Sequence, residues 1–235
     1  MRIARKILST VYKGVILVFL LRLLMISSGL LGAGLRFRFF ILFPSMASLL
    51  ALFYYLCAFG WNVWHFWDEE KITFAPFWKH LVVISLAVSL LMVRFFLGDV
   101  GDISAPLQNT AFLLYYVVPA MVLLDYIIFD QKGQVSTWEA VACTAFPLLY
   151  MAFIWVMVEG FHHNLWAGSG EGAYPYVFFD IRIVGVGGIV MFLAVVIIGY
   201  VVMANIFYWI DQLFVWPTRK HLEEDDDPDL WKDEE

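Results

Sequence analysis

Six times between residues 7 and 213 the chain runs for about 20 residues or more with few charges. The runs are 7–31, 39–64, 79–97, 107–129, 137–159 and 186–213. Each is long enough, as a helix, to cross a hydrocarbon core about 30 Å thick. In that solvent every backbone N–H and C=O must be satisfied within its own segment, so six apolar runs dictate six helices. The sequence therefore predicts an all-α, polytopic membrane protein with one six-helix domain over 1–216. With 62% hydrophobic and 15% charged residues the chain is too apolar for a water-soluble domain. Polar breaks separate the runs: GAGLRFR (32–38), DEEK (68–71), GDVGD (98–102), DQKGQ (130–134) and GSGEG (168–172).

Basic residues near the runs set an expected orientation. With the N-terminus inside, the inner segments hold Arg2, Arg5, Lys6, Lys71, Lys79, Lys132, Arg219 and Lys220, and the outer ones only Arg36, Arg38 and Arg182. Both termini are expected on the cytoplasmic side. Arg22 interrupts the first apolar run, which reads as an uncleaved span rather than a signal peptide. The net charge of −6 comes from the end of the chain, where EEDDDPDLWKDEE carries nine acids. Residues 217–235 read as a solvated acidic extension that could dock a protein partner. No basic stripe suits a nucleic acid. Cys57 and Cys143 lie inside spans without disulfide or metal spacing, and the tryptophans crowd span ends as interfacial anchors.

Ionisable groups inside spans are the first functional candidates. In LLYYVVPAMVLLDYIIF (113–129), Pro119 removes a helical hydrogen bond. Asp125 lies about one turn from the inner end, where Lys13 of the first span offers a cation at matching depth. The two are expected to form a structural pair. Arg22 and Arg94 lie in the outer halves of the first and third spans. They either extend toward the interface or hold a carboxylate or phosphate. In EGFHHNLW, Glu159, His162 and His163 would share one face of a continuous helix. They are weak zinc candidates, and no metal or other cofactor is expected. GVGG (185–188) lacks the strand and GK[ST] of a phosphate loop and reads as a flexible entry to the last span.

Several segments resemble, in order, the androgen-induced gene family of six-span membrane proteins, which includes the androgen-dependent TFPI-regulating proteins and many bacterial members. The segments are RFFILFPSMASLL (38–50), the VVP-to-Asp125 block, STWEAVACTAFPLLYMAF (136–153) and YPYVFFDI (174–181). The resemblance implies a bacterial-type member in the cytoplasmic membrane and an intramembrane hydrolase of fatty-acid esters with a Thr/His dyad. At the matching positions this chain has Pro44 for the threonine and Tyr115 for the histidine, and Ser48 stands at a nearby asparagine position. Proline offers no nucleophile, and tyrosine, with a reference pKa near 10, is a poor base at neutral pH. Ser45 is the one fallback nucleophile beside Pro44. The expectation is a membrane protein that binds a lipid or fatty-acyl ligand in an outer-half cavity. Arg22, Arg94, Tyr115 and Ser48 would line that cavity. Ester hydrolysis by replacement residues, or a structural role in a membrane complex, are the alternatives.

Overall fold

In the computed structural model, residues 2–32, 34–67, 74–97, 109–165 and 173–225 are described. All regular structure among them is helical. Six helices are long and apolar enough to cross a membrane: Ala4–Ser27, Phe43–Trp64, Pro76–Phe95, Thr110–Ile128, Thr137–Gly160 and Ile181–Leu213. They are called spans one to six.

Cross-span hydrogen bonds fix which ends lie together. Arg5 donates to the Ile128 carbonyl (2.9 Å) and Lys6 to the His65 carbonyl, so span one begins where spans two and four end. Tyr126 donates to Asp211 Oδ1 (3.1 Å), bringing the end of span six to the same side. This side is called proximal. At the distal side the Phe43 N–H donates to the Tyr176 hydroxyl (3.2 Å), closing the entry of span two against the segment before span six.

Prolines explain the local form of the helices. Pro44 and Pro76 sit in the first turns of their spans, where a missing N–H is tolerated. Pro119 lies deep in span four. It leaves the Tyr115 carbonyl without an α-type donor, and residues Leu113–Val117 widen into a π turn. In span five, Pro147 similarly follows a break at Cys143 and Thr144, where the Thr144 hydroxyl donates to the Val141 carbonyl at 2.8 Å. Span five begins with a capping box, in which Ser136 and Glu139 satisfy each other's backbone N–H groups. Two further π turns, Val93–Leu97 and Val156–Gly160, close the distal ends of spans three and five. The sixth span enters earlier than residue 186. It starts at Ile181 and kinks at Gly185, whose φ of 69° is open to glycine at little cost.

Tight packing gathers around spans one to three. Ala47, Ala51 and Ala58 of span two are fully buried, and a Cβ on Gly14 of span one would stand 3.1 Å from Phe59. Small residues at this seam let two backbones approach, which is how helices associate where lipid is as apolar as the side chains. The perimeter is apolar too, with Phe53, Leu149, Ile183 and Val195 among many exposed large side chains. The last helix continues to Asp225, past the 216/217 boundary at which a solvated extension was expected. Leu, Lys and Glu in this stretch are good helix formers. The rest of the acidic segment, 226–235, lies outside the described residues.

Candidate functional site

Two regions stand out, one polar and proximal, the other apolar and distal. The proximal one is built around Asp125. Lys13 Nζ lies 3.1 Å from Asp125 Oδ1, the pair matched by depth in the sequence. Lys79, at the start of span three, pairs with Asp125 Oδ2 and donates to the Tyr55 hydroxyl at 2.8 Å. Tyr55 in turn donates to Asp125 Oδ2 at 2.9 Å, and Lys13 also reaches Ser9 Oγ at 2.8 Å. Asp130 completes the set, 3.6 Å from Lys13 and 3.3 Å from Lys79. All four charges are essentially inaccessible. Two cations and two anions thus form a neutral quartet joining spans one, three and four, with Tyr55 bringing in span two.

The two carboxylates are not equivalent. Asp125 accepts three hydrogen bonds, whereas Asp130 is held by the two longer ion pairs. Asp130 lies just beyond the end of span four, in a turn pinned by span six. Asp211 Oδ2 accepts from the Gly133 N–H at 2.6 Å, and its other oxygen accepts from Tyr126. Gly133 has a φ of 75°, so the turn itself calls for glycine. Lys132 covers the Tyr126 ring at 3.7 Å and sits 3.9 Å from Asp211. Burial pushes the Lys132 ammonium down from its ordinary value, and the Asp211 and Asp130 carboxylates oppose that shift. Next to Lys79, buried His80 packs against Tyr126 and Phe207.

The distal region is a cavity of about 170 Å³ between spans three, five and six. Phe43, Met92, Pro147, Tyr150, Phe192 and Tyr200 supply much of its wall, with Gly199 at the surface of span six. The surrounding tyrosines turn their hydroxyls away: Tyr150 donates to the Ile41 carbonyl at 2.8 Å and Tyr200 to Ser85 Oγ at 3.3 Å. The lining is therefore hydrocarbon in character.

The structure distributes the other candidates differently from the single cavity expected. Ser45 and Tyr115 do meet, with Oγ and OH 3.3 Å apart across spans two and four. The π turn beside Pro119 carries Tyr115. Ser48 spends its hydroxyl on the Pro44 carbonyl at 2.9 Å, so it offers a ligand no free donor. Arg22 and Arg94 are both exposed, and neither they nor Tyr115 and Ser48 line the distal cavity. Depth along a helix was readable from sequence; the direction each side chain faces was not. Glu159 accepts from Tyr174 at 2.7 Å and pairs with Arg182 at 3.3 Å, fastening the segment before span six. His162 follows the helix end with a φ of 53°, so Glu159, His162 and His163 do not share a helical face. No group of three or more potential metal ligands occurs among the described residues.

No protein-family model, curated protein or solved structure matches the chain.

The quartet partners missed in the sequence are Lys79 and Asp130. Lys79 was counted with the inner basic residues. Its depth, at the proximal start of span three, was the available signal. Asp130, five residues after Asp125, hid among the polar residues of a break.

Proposed function

We propose that this chain is an integral protein of a bacterial cytoplasmic membrane that binds a lipid or fatty-acyl ligand inside the bilayer. The distal cavity carries the reading. It is apolar, lies within spans, and opens between spans three, five and six where a chain can enter from the membrane. The resemblance to the androgen-induced gene family supports the choice of an acyl ligand, and Pro44 at the nucleophile position argues against the family's ester chemistry. Gly199 offers a direct test, because a Cβ there would meet nothing within 4 Å. Gly199→Phe should fill the cavity without disturbing the backbone. Purified protein should lose at least about ten-fold of its co-purifying free fatty acid by mass spectrometry, a change of about 1.4 kcal/mol or more. Equal retention in the variant refutes the cavity as the binding site.

The second reading is hydrolysis with Ser45 as nucleophile, and the 3.3 Å contact with Tyr115 is the observation in its favour. A serine needs a base to become a nucleophile, and a tyrosine with its ordinary pKa is protonated at pH 7. The expected result is no turnover of long-chain hydroxy-fatty-acid esters above a blank. Turnover abolished by Ser45→Ala establishes the hydrolase instead.

The same proposal places both termini in the cytoplasm, on the basic-residue bias. Single cysteines introduced at Gln134 and His163 should then label oppositely. An impermeant maleimide added to intact cells should modify His163→Cys and spare Gln134→Cys. The reverse pattern inverts the topology.

A further inference from the structure

Arg22 is the one strongly charged residue in an otherwise hydrocarbon groove on the outside of spans one and two. The groove, about 530 Å³, is lined by Val11, Gly14, Val15, Val18, Phe19, Arg22 and Phe59. Val11, Val15 and Val18 are 57%, 51% and 68% exposed, so this face turns away from the bundle. Gly14 creates the depression, since any Cβ there would press on Phe59. From Val11 to Arg22 the groove runs about 16 Å along the helix axis, about 7 Å of it on the proximal side and about 10 Å on the distal side of the middle of span one. Arg22 sits about 10 Å from the middle of span one, which leaves about 5 Å to the edge of the hydrocarbon core. An arginine side chain covers that distance.

A guanidinium on the membrane-facing surface without an anion is costly. Arg22 makes no hydrogen bond or ion pair with the described residues, and the groove supplies no other polar group. The complementary occupant has a singly bonded run of methylenes for the valine face and an anionic head that accepts a planar fork of N–H donors. We infer that this groove is a binding site for an anionic phospholipid of the leaflet facing the distal side. One acyl chain lies along the groove from Arg22 past Val18 toward Val15 at the middle of the span, and the headgroup phosphate pairs with Arg22. The site is separate from the cavity between spans three, five and six, and does not depend on it.

The test is lipid retention by native mass spectrometry after reconstitution in phosphatidylglycerol or in phosphatidylcholine. Phosphatidylcholine carries its own cation beside the phosphate and competes poorly for the arginine. Wild type should retain phosphatidylglycerol at least about ten-fold more than phosphatidylcholine. Arg22→Gln should lower that retention by about ten- to a hundred-fold, the factor expected for hydrogen bonds to a charged group. Arg22→Lys should keep part of it, and Val18→Trp, which fills the groove from an exposed position, should lower it without touching the core. Gly199→Phe should leave it unchanged. Equal retention of the two lipids overturns the inference, as does unchanged phosphatidylglycerol binding in Arg22→Gln. Loss through Gly199→Phe alone also overturns it, while leaving the cavity reading intact. Co-purification of a second polypeptide on this face in place of lipid would assign the groove to a partner helix and overturn it as well.

Discussion

Asp125→Asn is expected to remove about 3–5 kcal/mol of folding stability, the cost of breaking a buried ion pair from one side. Among the described residues the substitution leaves Lys13 and Lys79 with Asp130 as their only carboxylate, at 3.6 and 3.3 Å. Two buried cations then share one carboxylate, with only the neutral Ser9 and Tyr55 hydroxyls beside it, in a site with no solvent to screen them. Unfolding by denaturing detergent, followed through the ten tryptophans, reads the loss directly. A companion variant separates charge imbalance from lost packing. Lys79→Met with Asp125→Leu removes one cation and one anion together, leaving the Lys13–Asp130 pair balanced. Apolar replacement of a buried pair is often close to neutral, so the double variant should recover more than half of the loss. A single-variant loss under about 1 kcal/mol, the level of an exposed pair, would sink the reading of the quartet as a structural clasp.

Asp211→Ala is expected to cost about 3 kcal/mol, and to act on Asp130 from a distance. Asp211 holds both the Tyr126 hydroxyl and the Gly133 N–H, and hydrogen bonds to a charged group contribute roughly 1.5–3 kcal/mol each. Its loss frees the turn that carries Asp130 to the lysines. The same detergent unfolding measures the cost. A double-mutant cycle with Asp130→Asn then asks whether the two sites act as one. Residues in a shared network couple by roughly 0.5–3 kcal/mol. Additive effects within about 0.3 kcal/mol would show that span six holds the turn without positioning Asp130.

The six spans and their approximate ends were legible because a lipid-soluble backbone leaves few choices: length and apolar content suffice. The Lys13–Asp125 pair was legible for a related reason. Counting residues from a span end gives depth, and two opposite charges at one depth attract. Azimuth was not legible. In a soluble helix the polar face marks the outside, but here both faces are apolar. Arg22 and Arg94 lie in the distal halves of their spans, but both are exposed and neither lines the distal cavity. The same ambiguity concealed the apolar cavity, whose lining looks like any other run of Val, Met and Phe. Lys79 and Asp130 were lost at span boundaries, where a charge is unremarkable until the fold shows that it turns inward. The contact of Ser45 with Tyr115 depends on a π turn, and Pro119 signalled a distortion without giving its form. The helix end at Gly160 likewise removed the shared face that Glu159, His162 and His163 would have had.

The neutrality of the quartet has an electrical meaning. A unit charge carried across a membrane potential of 100 mV exchanges about 2.3 kcal/mol with the field. Lys13, Lys79, Asp125 and Asp130 lie within a few ångströms of one another and sum to zero. Any motion that shifts them together along the membrane normal therefore does no net electrical work. The protein can hold four charges in its proximal half and still have this region indifferent to whether the cell is energised. Removing a single carboxylate would leave the cluster with one net positive charge, on which such a motion would do electrical work.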